Sequence, residues 1–415
     1  MHPIRSRHRR IATTLLLALA ACRGSNGTEP RLTPTVEDLD VVDARMAWTY
    51  VENNTIPTTG LANAVDGFQH VTTWDIASLI GAVYSAHELG LIGDVAYDER
   101  IRKILGTLAQ MPLFDGAAFN KFYDGQTGQM VDRSFKPTPT GYGWASTDMG
   151  RLLVWLRILA VNQPQYADQA AAIVKRIDMT RIIKNGNLEA IDLDPTTGAI
   201  RYYAETGLGY EQYAASGFAL WGHRAVDALN AGANATVAKV QGVDVAVDKR
   251  GTGRITSEPY IMMGLETGWY SPTLREHATN VLAAQQARYD QTGIMTIVSE
   301  DHLRDAPYFF YYYSLYNAGR TFAVDGPDAG TFVENPRWVS SKAAFAWRSL
   351  MPTPYTNAAV EAVRAAAIPG KGWGAGVYEG SGSPTGETNL NTAGLILESL
   401  AYRRTGRPFL SEPIP

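Results

Sequence analysis

The sequence predicts an all-α fold built as a double-ringed (α/α)6 toroid with short β-hairpins at one end. Three observations carry that prediction. Helix-period segments recur along the whole chain with no linker between them, they divide into two kinds by charge, and one turn recurs between strand-like stretches.

About twelve segments show the helical period, near residues 36–53, 73–90, 95–110, 145–160, 165–178, 209–228, 257–267, 271–289, 307–318, 338–350, 355–367 and 388–404. Residues 95–110 put Ile101, Ile104, Leu105 and Leu108 on one face and Asp98, Glu99, Arg100, Arg102 and Lys103 on the other. That is a helix with one wet side, suited to an outer ring. Residues 76–87 hold Ile76, Leu79, Ile80 and Val83 with no formal charge unless His87 is protonated, and 212–222 and 389–397 are also charge-free. Helices apolar all round are buried on every side and belong to an inner ring. Seven patterns read as inner and five as outer. An α-solenoid is the competing architecture, but it requires a repeated unit of fixed length, and none recurs at helix scale. The turns Asp124–Gly128, Asp194–Gly198 and the shorter Asp290–Gly293 lie between stretches that alternate like strands, such as 119–123 and 200–203, so each reads as a hairpin.

The N-terminus predicts the compartment. Arg5, Arg7, Arg9 and Arg10 precede an apolar run from Ile11 to Ala20, half the roughly twenty residues that a membrane-crossing helix needs. Residues 1–21 therefore read as a signal peptide. Leu19-Ala20-Ala21-Cys22 places two small residues before the only cysteine, the pattern of a bacterial lipoprotein box, and one cysteine excludes a disulfide framework. Cys22 is the expected acylated N-terminus and membrane anchor. Arg23 after it resembles the sorting pattern for release to the outer membrane, and residues 22–35 read as a lipidated flexible tether. Residues 36–415 are expected to form a single barrel domain, exported and facing the periplasm or the cell surface.

Composition narrows the partner. With 45% hydrophobic and 19% charged residues the mature part is an ordinary folded protein, and a formal net charge of −4 argues against nucleic acid. Aromatics are the unusual feature. Many of the 21 tyrosines and nine tryptophans sit beside Gly, Asp or Glu rather than inside apolar runs.

Most charge-free helices follow segments dense in Trp, Tyr, Gly and carboxylates: Thr73-Trp74-Asp75, Trp144-Ala145-Ser146-Thr147-Asp148, Tyr203-Ala204-Glu205 through Tyr210-Glu211, Glu258-Pro259-Tyr260, and Trp373 through Glu379 to Glu387. If the inner helices run parallel, these segments meet at one mouth of the ring. Trp and Tyr faces pack on the C–H faces of sugars while carboxylates accept hydrogen bonds from hydroxyls, so the combination predicts a carbohydrate cleft. Trp74, Asp75, Trp144, Ser146, Tyr203, Tyr210, Glu258, Tyr260, Trp269, Trp373 and Glu387 are the expected substrate-binding residues. Asp75 and Asp148 have a second reading as helix-start carboxylates that satisfy free N–H groups, and Trp74 and Trp144 a second reading as core. The aromatic run Tyr308–Tyr313 reads as packing.

A glycosidase needs one protonated and one ionised carboxyl group. Glu211 opens a charge-free helix whose apolar neighbours oppose ionisation, which makes it the expected acid. Asp148, Glu258, Glu379 and Glu387 are the choices for the base, with Asp148 and Glu379 foremost as catalytic partners. No other chemistry is supported. His70, His87, His223, His277 and His302 form no tight ligand spacing, so no metal site is expected, and neither a phosphate loop nor a G-x-S-x-G elbow occurs. No cofactor is expected.

At Pro57–Leu61, Thr73-Trp74-Asp75-Ile76-Ala77-Ser78, Ser146–Leu153, Ser257-Glu258-Pro259-Tyr260 and Gly394–Leu400 the chain resembles the family known as domain of unknown function 3131, found in exported bacterial proteins. That family is similar, more distantly, to glucoamylase-like domains and endo-β-1,2-glucanases, which are inverting (α/α)6 hydrolases. The resemblance implies an inverting glycoside hydrolase or a transglycosylase acting on a β-glucan or related envelope polysaccharide. It also aligns Tyr210-Glu211 with their Tyr-Asn-Glu at an inner helix start, and Ser146-Thr147-Asp148 with their cleft-lining Ser-Thr-Val-Asp. The last helix departs from the pattern, carrying Asn389 and Asn391 where those enzymes have Ile-Asp-Gln-Gly. A non-catalytic polysaccharide-binding lipoprotein is the second reading. A polysaccharide lyase is the third, and would need a basic cleft.

Overall fold

The chain alternates between helices of the two expected kinds. The structure, a computed structural model, describes residues 36–414 apart from 195, 252, 328 and 329. The signal segment, Cys22 and the tether lie outside the described residues. The helices are α1 (Val36–Asn54), α2 (Thr73–Glu88), α3 (Asp94–Gln110), α4 (Ser146–Asn162), α5 (Ala167–Lys175), α6 (Met179–Ile182), α7 (Tyr210–Ala219), α8 (Val226–Leu229), α9 (Glu258–Glu266), α10 (Pro272–Thr292), α11 (Ser341–Leu350), α12 (Pro354–Val363) and α13 (Leu390–Thr405).

Six of them close a ring in the order α2, α4, α7, α9, α11, α13 and back to α2. Around it, α3 leans on α2, α5 on α4, α8 on α7, α10 on α9 and α12 on α11, while α1 packs on both α13 and α2. This is the (α/α)6 arrangement, with six inner helices rather than seven. Burial separates the rings. Every residue of α9 is buried, whereas α3 buries only Tyr97, Ile101, Ile104, Leu105 and Leu108 and leaves its charged side wet. Close approach within the inner ring depends on small residues. A Cβ on Gly217 of α7 would collide with the Gly150 carbonyl of α4, and one on Gly150 would meet the Ala214 backbone, so both positions require glycine.

Four expectations are corrected. "All-α" is only approximate, because the segments that enter the inner helices fold on themselves as small antiparallel sheets. Residues 307–318 are not a helix. Phe310–Asn317 form the longest strand, between Glu300–His302 and Arg320–Asp325. Tyr311 and Tyr313 turn into the core while Phe310 and Tyr312 are half-buried, an alternation that a run of aromatic β-formers favours over the helical period. Finally, Asp290–Gly293 is no hairpin but the end of α10, where Gly293 takes the left-handed conformation at φ 70° and donates to the Tyr289 carbonyl at 2.7 Å. The other two turns are hairpin turns, closed by Gly128 N–H to the Asp124 carbonyl (2.8 Å) and Gly198 N–H to the Asp194 carbonyl (2.9 Å). The segment 209–228 is also broken, with Gly222 at φ 84° between α7 and α8.

Candidate active site

The inner helices run parallel, and the first turns of five of them reach one mouth of the ring. Trp74 and Asp75 of α2, Thr147 and Asp148 of α4, Tyr210 of α7, Lys342 of α11 and Asn391 of α13 line a cleft of about 1160 Å3 there. Helix N-termini carry partial positive charge, so their convergence favours anionic groups at this spot. The chain supplies them. Asp75, Asp148, Glu205, Glu300 and Asp301 all line the cleft.

These carboxyls differ in what holds them. Asp75 is the third residue of a capping box, accepting from the Thr72 N–H at 2.8 Å and the Thr72 hydroxyl at 2.9 Å while its own N–H donates to Thr72 Oγ1. Glu205 caps α4 from a distance. The residue before that helix, Ala145, offers no side chain for capping, and Glu205 Oε2 instead accepts from the Thr147 N–H (2.5 Å) and hydroxyl (2.9 Å). Asp301 accepts from Asn389 Nδ2 at 2.6 Å and from the Thr392 hydroxyl at 3.1 Å.

Asp148 stands apart. Among the described residues it has no hydrogen-bond partner, and burial, reinforced by the charges of Glu205 and Asp75, pushes its carboxyl well above the usual carboxylate range. Glu300 accepts a short hydrogen bond from the Tyr210 hydroxyl (2.5 Å). Burial and the neighbouring Glu258 raise it to about 7, against the opposing pull of Lys342 and Tyr210.

A buried polar network supports this floor. Lys342 is 2.8 Å from Glu258 Oε2 and 3.8 Å from Asp301. Burial pulls its ammonium down, but Asp301, Glu258 and Glu300 together outweigh that and keep it charged. Glu258 also accepts from Ser299 Oγ (2.6 Å) and Asn391 Nδ2 (2.5 Å), and Asn391 Oδ1 accepts from Arg151 at 2.6 Å. The asparagine in the last helix thus bridges a cation and an anion, whereas an aspartate there would face Glu258 with like charge. Arg151, fully buried, also lies 4.8 Å from the Trp74 ring centre and fixes that ring at the cleft wall. No group of three His, Cys, Asp or Glu side chains among the described residues is arranged to hold a metal.

Of the residues expected from sequence, the structure brings Trp74, Asp75, Asp148, Tyr203 and Tyr210 to the cleft, with Glu258 directly beneath it. Others lie elsewhere. Glu211, expected to be the acid, points away from the mouth into a bidentate pair with Arg250 (2.6 and 3.3 Å), which Asp248 shares at 2.5 Å. Burial raises its carboxyl while Arg250 opposes the rise. Glu379 is held by both nitrogens of Arg288 (2.7 and 2.8 Å) and by the Tyr313 hydroxyl (2.6 Å). Glu387 pairs with Arg304 at 2.5 Å. Trp144, Tyr260, Trp269 and Trp373 are core side chains, three of them donating their indole N–H to backbone carbonyls of Glu189, Tyr260 and Asp43. Ser146 is buried on the Glu189 carbonyl.

Sequence reasoning missed Glu300, Asp301 and Lys342 and left Glu205 without a role. The signals were present: adjacent acids after the apolar pair Ile297-Val298, and a single lysine opening the otherwise apolar stretch Ala343–Trp347.

The sequence matches the family described as a protein of unknown function, DUF3131, over residues 42–406. No curated protein matches it. Solved structures share the fold at low identity. A candidate glucoamylase from Bacteroides caccae superposes with a TM-score of 0.66 at 16% identity, covering 89% of this chain and 94% of that one. An endo-β-1,2-glucanase from Chitinophaga pinensis, in complex with sophorotriose and glucose, gives 0.64 at 15% over 90% and 94%. An endo-β-1,2-glucanase variant from Talaromyces funiculosus bound to β-1,2-glucan gives 0.57 at 10% over 88% and 86%.

Proposed function

The chain belongs to the DUF3131 family, and from that premise we propose that it is an envelope glycoside hydrolase that cleaves a β-glucan, with Asp148 as general acid and Glu300 as general base. One observation carries the reading: a carboxyl with no hydrogen-bond partner among the described residues, Asp148, shares a sugar-sized aromatic cleft with a carboxyl that has one, Glu300. An acid must hold its proton until the leaving oxygen needs it. Among the described residues nothing bonded to Asp148 stabilises its anion, and burial with the charges of Glu205 and Asp75 favours its protonated form. A base must be able to ionise near neutrality, and Tyr210 and Lys342 stabilise the Glu300 anion.

In the reaction Asp148 gives its proton to the glycosidic oxygen as the bond to the anomeric carbon breaks. A water attacks that carbon from the opposite face and passes its proton to Glu300, inverting the configuration. The endo-β-1,2-glucanase neighbours make β-1,2-glucan the first polymer to test. A lyase reading is disfavoured because the cleft cations are already bonded to carboxylates: Lys121 to Asp192 (2.5 Å), Arg254 to Asp325 (2.9 Å) and Lys342 to Glu258 (2.8 Å). Little positive charge is left over for a uronate.

Incubating the purified protein with a panel of β- and α-glucans, and following reducing ends and the anomer first released by NMR, tests the reading. Release of inverted product is expected. Glucans that are bound but stay intact would instead establish a polysaccharide-binding protein. We place the enzyme at the membrane through an acylated Cys22, exposed to the periplasm or the surface of a two-membraned cell. Labelled fatty acid should enter the wild type and not Cys22→Ser, and labelling of both would remove the anchor.

A further inference from the structure

Inside the ring, beneath the cleft floor, lie three ionisable groups that the reaction does not use. Arg151 of α4, Glu266 of α9 and Glu398 of α13 are all fully buried. Arg151 Nη2 stands 3.6 Å from Glu398 Oε1, and its Nε 3.9 Å from Glu266 Oε1. One cation thus faces two carboxyls. Arginine keeps its proton in proteins, so with both carboxyls ionised the cluster would hold one uncompensated charge out of reach of water, which is strongly disfavoured.

The hydrogen bonds say which carboxyl is the anion. Glu266 accepts from Trp155 Nε1 at 3.1 Å and from the Tyr213 hydroxyl at 2.5 Å, so both its oxygens meet donors. Neither oxygen of Glu398 meets one among the described residues. An anion there would be left bare, whereas a carboxylic acid can donate to Glu266, which lies within hydrogen-bonding reach. Burial and the Glu266 charge push the Glu398 carboxyl well above the usual carboxylate range, in agreement with that assignment. The next carboxyl above, Glu258, is already neutralised by Lys342 at 2.8 Å. On the α2 side a Cβ on Gly81 would collide with Glu398 Oε1, so glycine there makes room for the acid.

Two links join this cluster to the cleft. Arg151 Nη1 donates to Asn391 Oδ1 at 2.6 Å, and the guanidinium sits 4.8 Å from the Trp74 ring centre. Tyr213, tied to Glu266, meets the same ring edge-on at 6.0 Å. Trp74 and Asn391 both line the cleft.

We propose that Glu266 and Glu398 share one proton and, with Arg151, form a neutral cluster that positions Trp74 and Asn391 in the cleft. The three are positioning residues and touch no substrate. That Trp74 meets a glucan rests on the hydrolase reading, whereas the shared proton and the hold on Trp74 do not.

Charge counting gives the test. Replacing either carboxyl by its amide leaves one anion for one cation, so Glu266→Gln and Glu398→Gln should each lower the melting temperature by no more than about 1–2 °C. Each should also remove the infrared C=O band of one protonated carboxyl, because the carboxyl that remains ionises. Both changes together strand Arg151 and should lower the melting temperature by about 5–10 °C. Adding Arg151→Met removes the stranded charge and should recover most of that loss. Trp74 should not recover with it. In protein labelled with fluorotryptophan, the Trp74 fluorine resonance, assigned through Trp74→Phe, should stay shifted or broadened in the triple variant, and affinity for β-1,2-glucan oligosaccharides should stay about 10-fold below wild type.

Single-variant losses that add up to the double-variant loss, or a protonated-carboxyl band untouched by both single changes, overturn the shared proton. Should the double variant not fold, a folded triple variant supports the charge count and an unfolded one contradicts it. A Trp74 resonance that returns with stability in the triple variant overturns the positioning role. A wild type that binds no glucan overturns the hydrolase reading alone, since the infrared, melting and resonance measurements use no ligand.

Discussion

Asp148 and Glu211 start from the same sequence signature and end in opposite states. Each is an acidic residue in the first turn of an inner helix, α4 and α7, and those helices pack on each other through Gly150 and Gly217. Glu211 is met by Arg250, which follows the hairpin Ala235–Val240 and Val243–Asp248, and becomes half of a buried ion pair. Among the described residues no cation bonds to Asp148. Its helix is capped instead by Glu205, so its carboxyl is left free at the cleft and disfavoured as an anion. A first-turn carboxylate is therefore not a catalytic signal in itself. What decides its role is whether another segment brings a cation.

The contrast can be sharpened by substitution. The largest effect is expected at the partner of Asp148: Glu300→Gln should cut turnover by about 10²- to 10⁴-fold, measured on whichever glucan the wild type cleaves. Next comes Arg250→Met, which leaves Glu211 and Asp248 buried without their cation. Removing one partner of a fully buried pair costs about 3–5 kcal/mol. Because Arg250 is a quarter exposed, we expect about 1–3 kcal/mol by denaturant unfolding, with turnover of the folded fraction unchanged.

The pH profile separates the two carboxyls again. Glu300 must be ionised to act, so activity should fall as pH drops below about 7, the value to which burial raises it. Tyr210→Phe removes a hydrogen bond to the anion and should move that acidic limb upward by less than one unit. Stability responds with a definite sign at Asp148. Its folded-state value lies above the unfolded one, so the unfolded chain releases this proton first. Stability is therefore lost as pH rises from about 4 through the folded value. Asp148→Asn abolishes that loss and should raise the melting temperature at pH 8 by about 1–2 °C.

The ring was legible because burial on all sides leaves a mark: runs almost free of charge, such as residues 76–87 of α2 and 389–397 entering α13, alternate with amphipathic helices such as α3. Trp74, Asp148 and Tyr210 were legible for the related reason that a parallel inner ring sends first turns to one mouth. Their neighbours were hidden by distance along the chain. Glu205 reaches Thr147 across 58 positions and Asn391 reaches Arg151 across 240, and no local pattern announces such meetings. The run Tyr308–Tyr313 misled because aromatic residues satisfy both periods, and only pairing with Glu300–His302 and Arg320–Asp325 chooses the strand. Glu379 and Glu387 misled as Glu211 did, each claimed by an arginine from another segment.

The most direct measurement is the initial rate of reducing-end release from one glucan by Asp148→Asn and Glu211→Gln side by side, at equal concentrations of folded protein. The account predicts a rate near background for the first and within a few-fold of wild type for the second. The reverse ranking, with Glu211→Gln inactive and Asp148→Asn nearly unaffected, would contradict it.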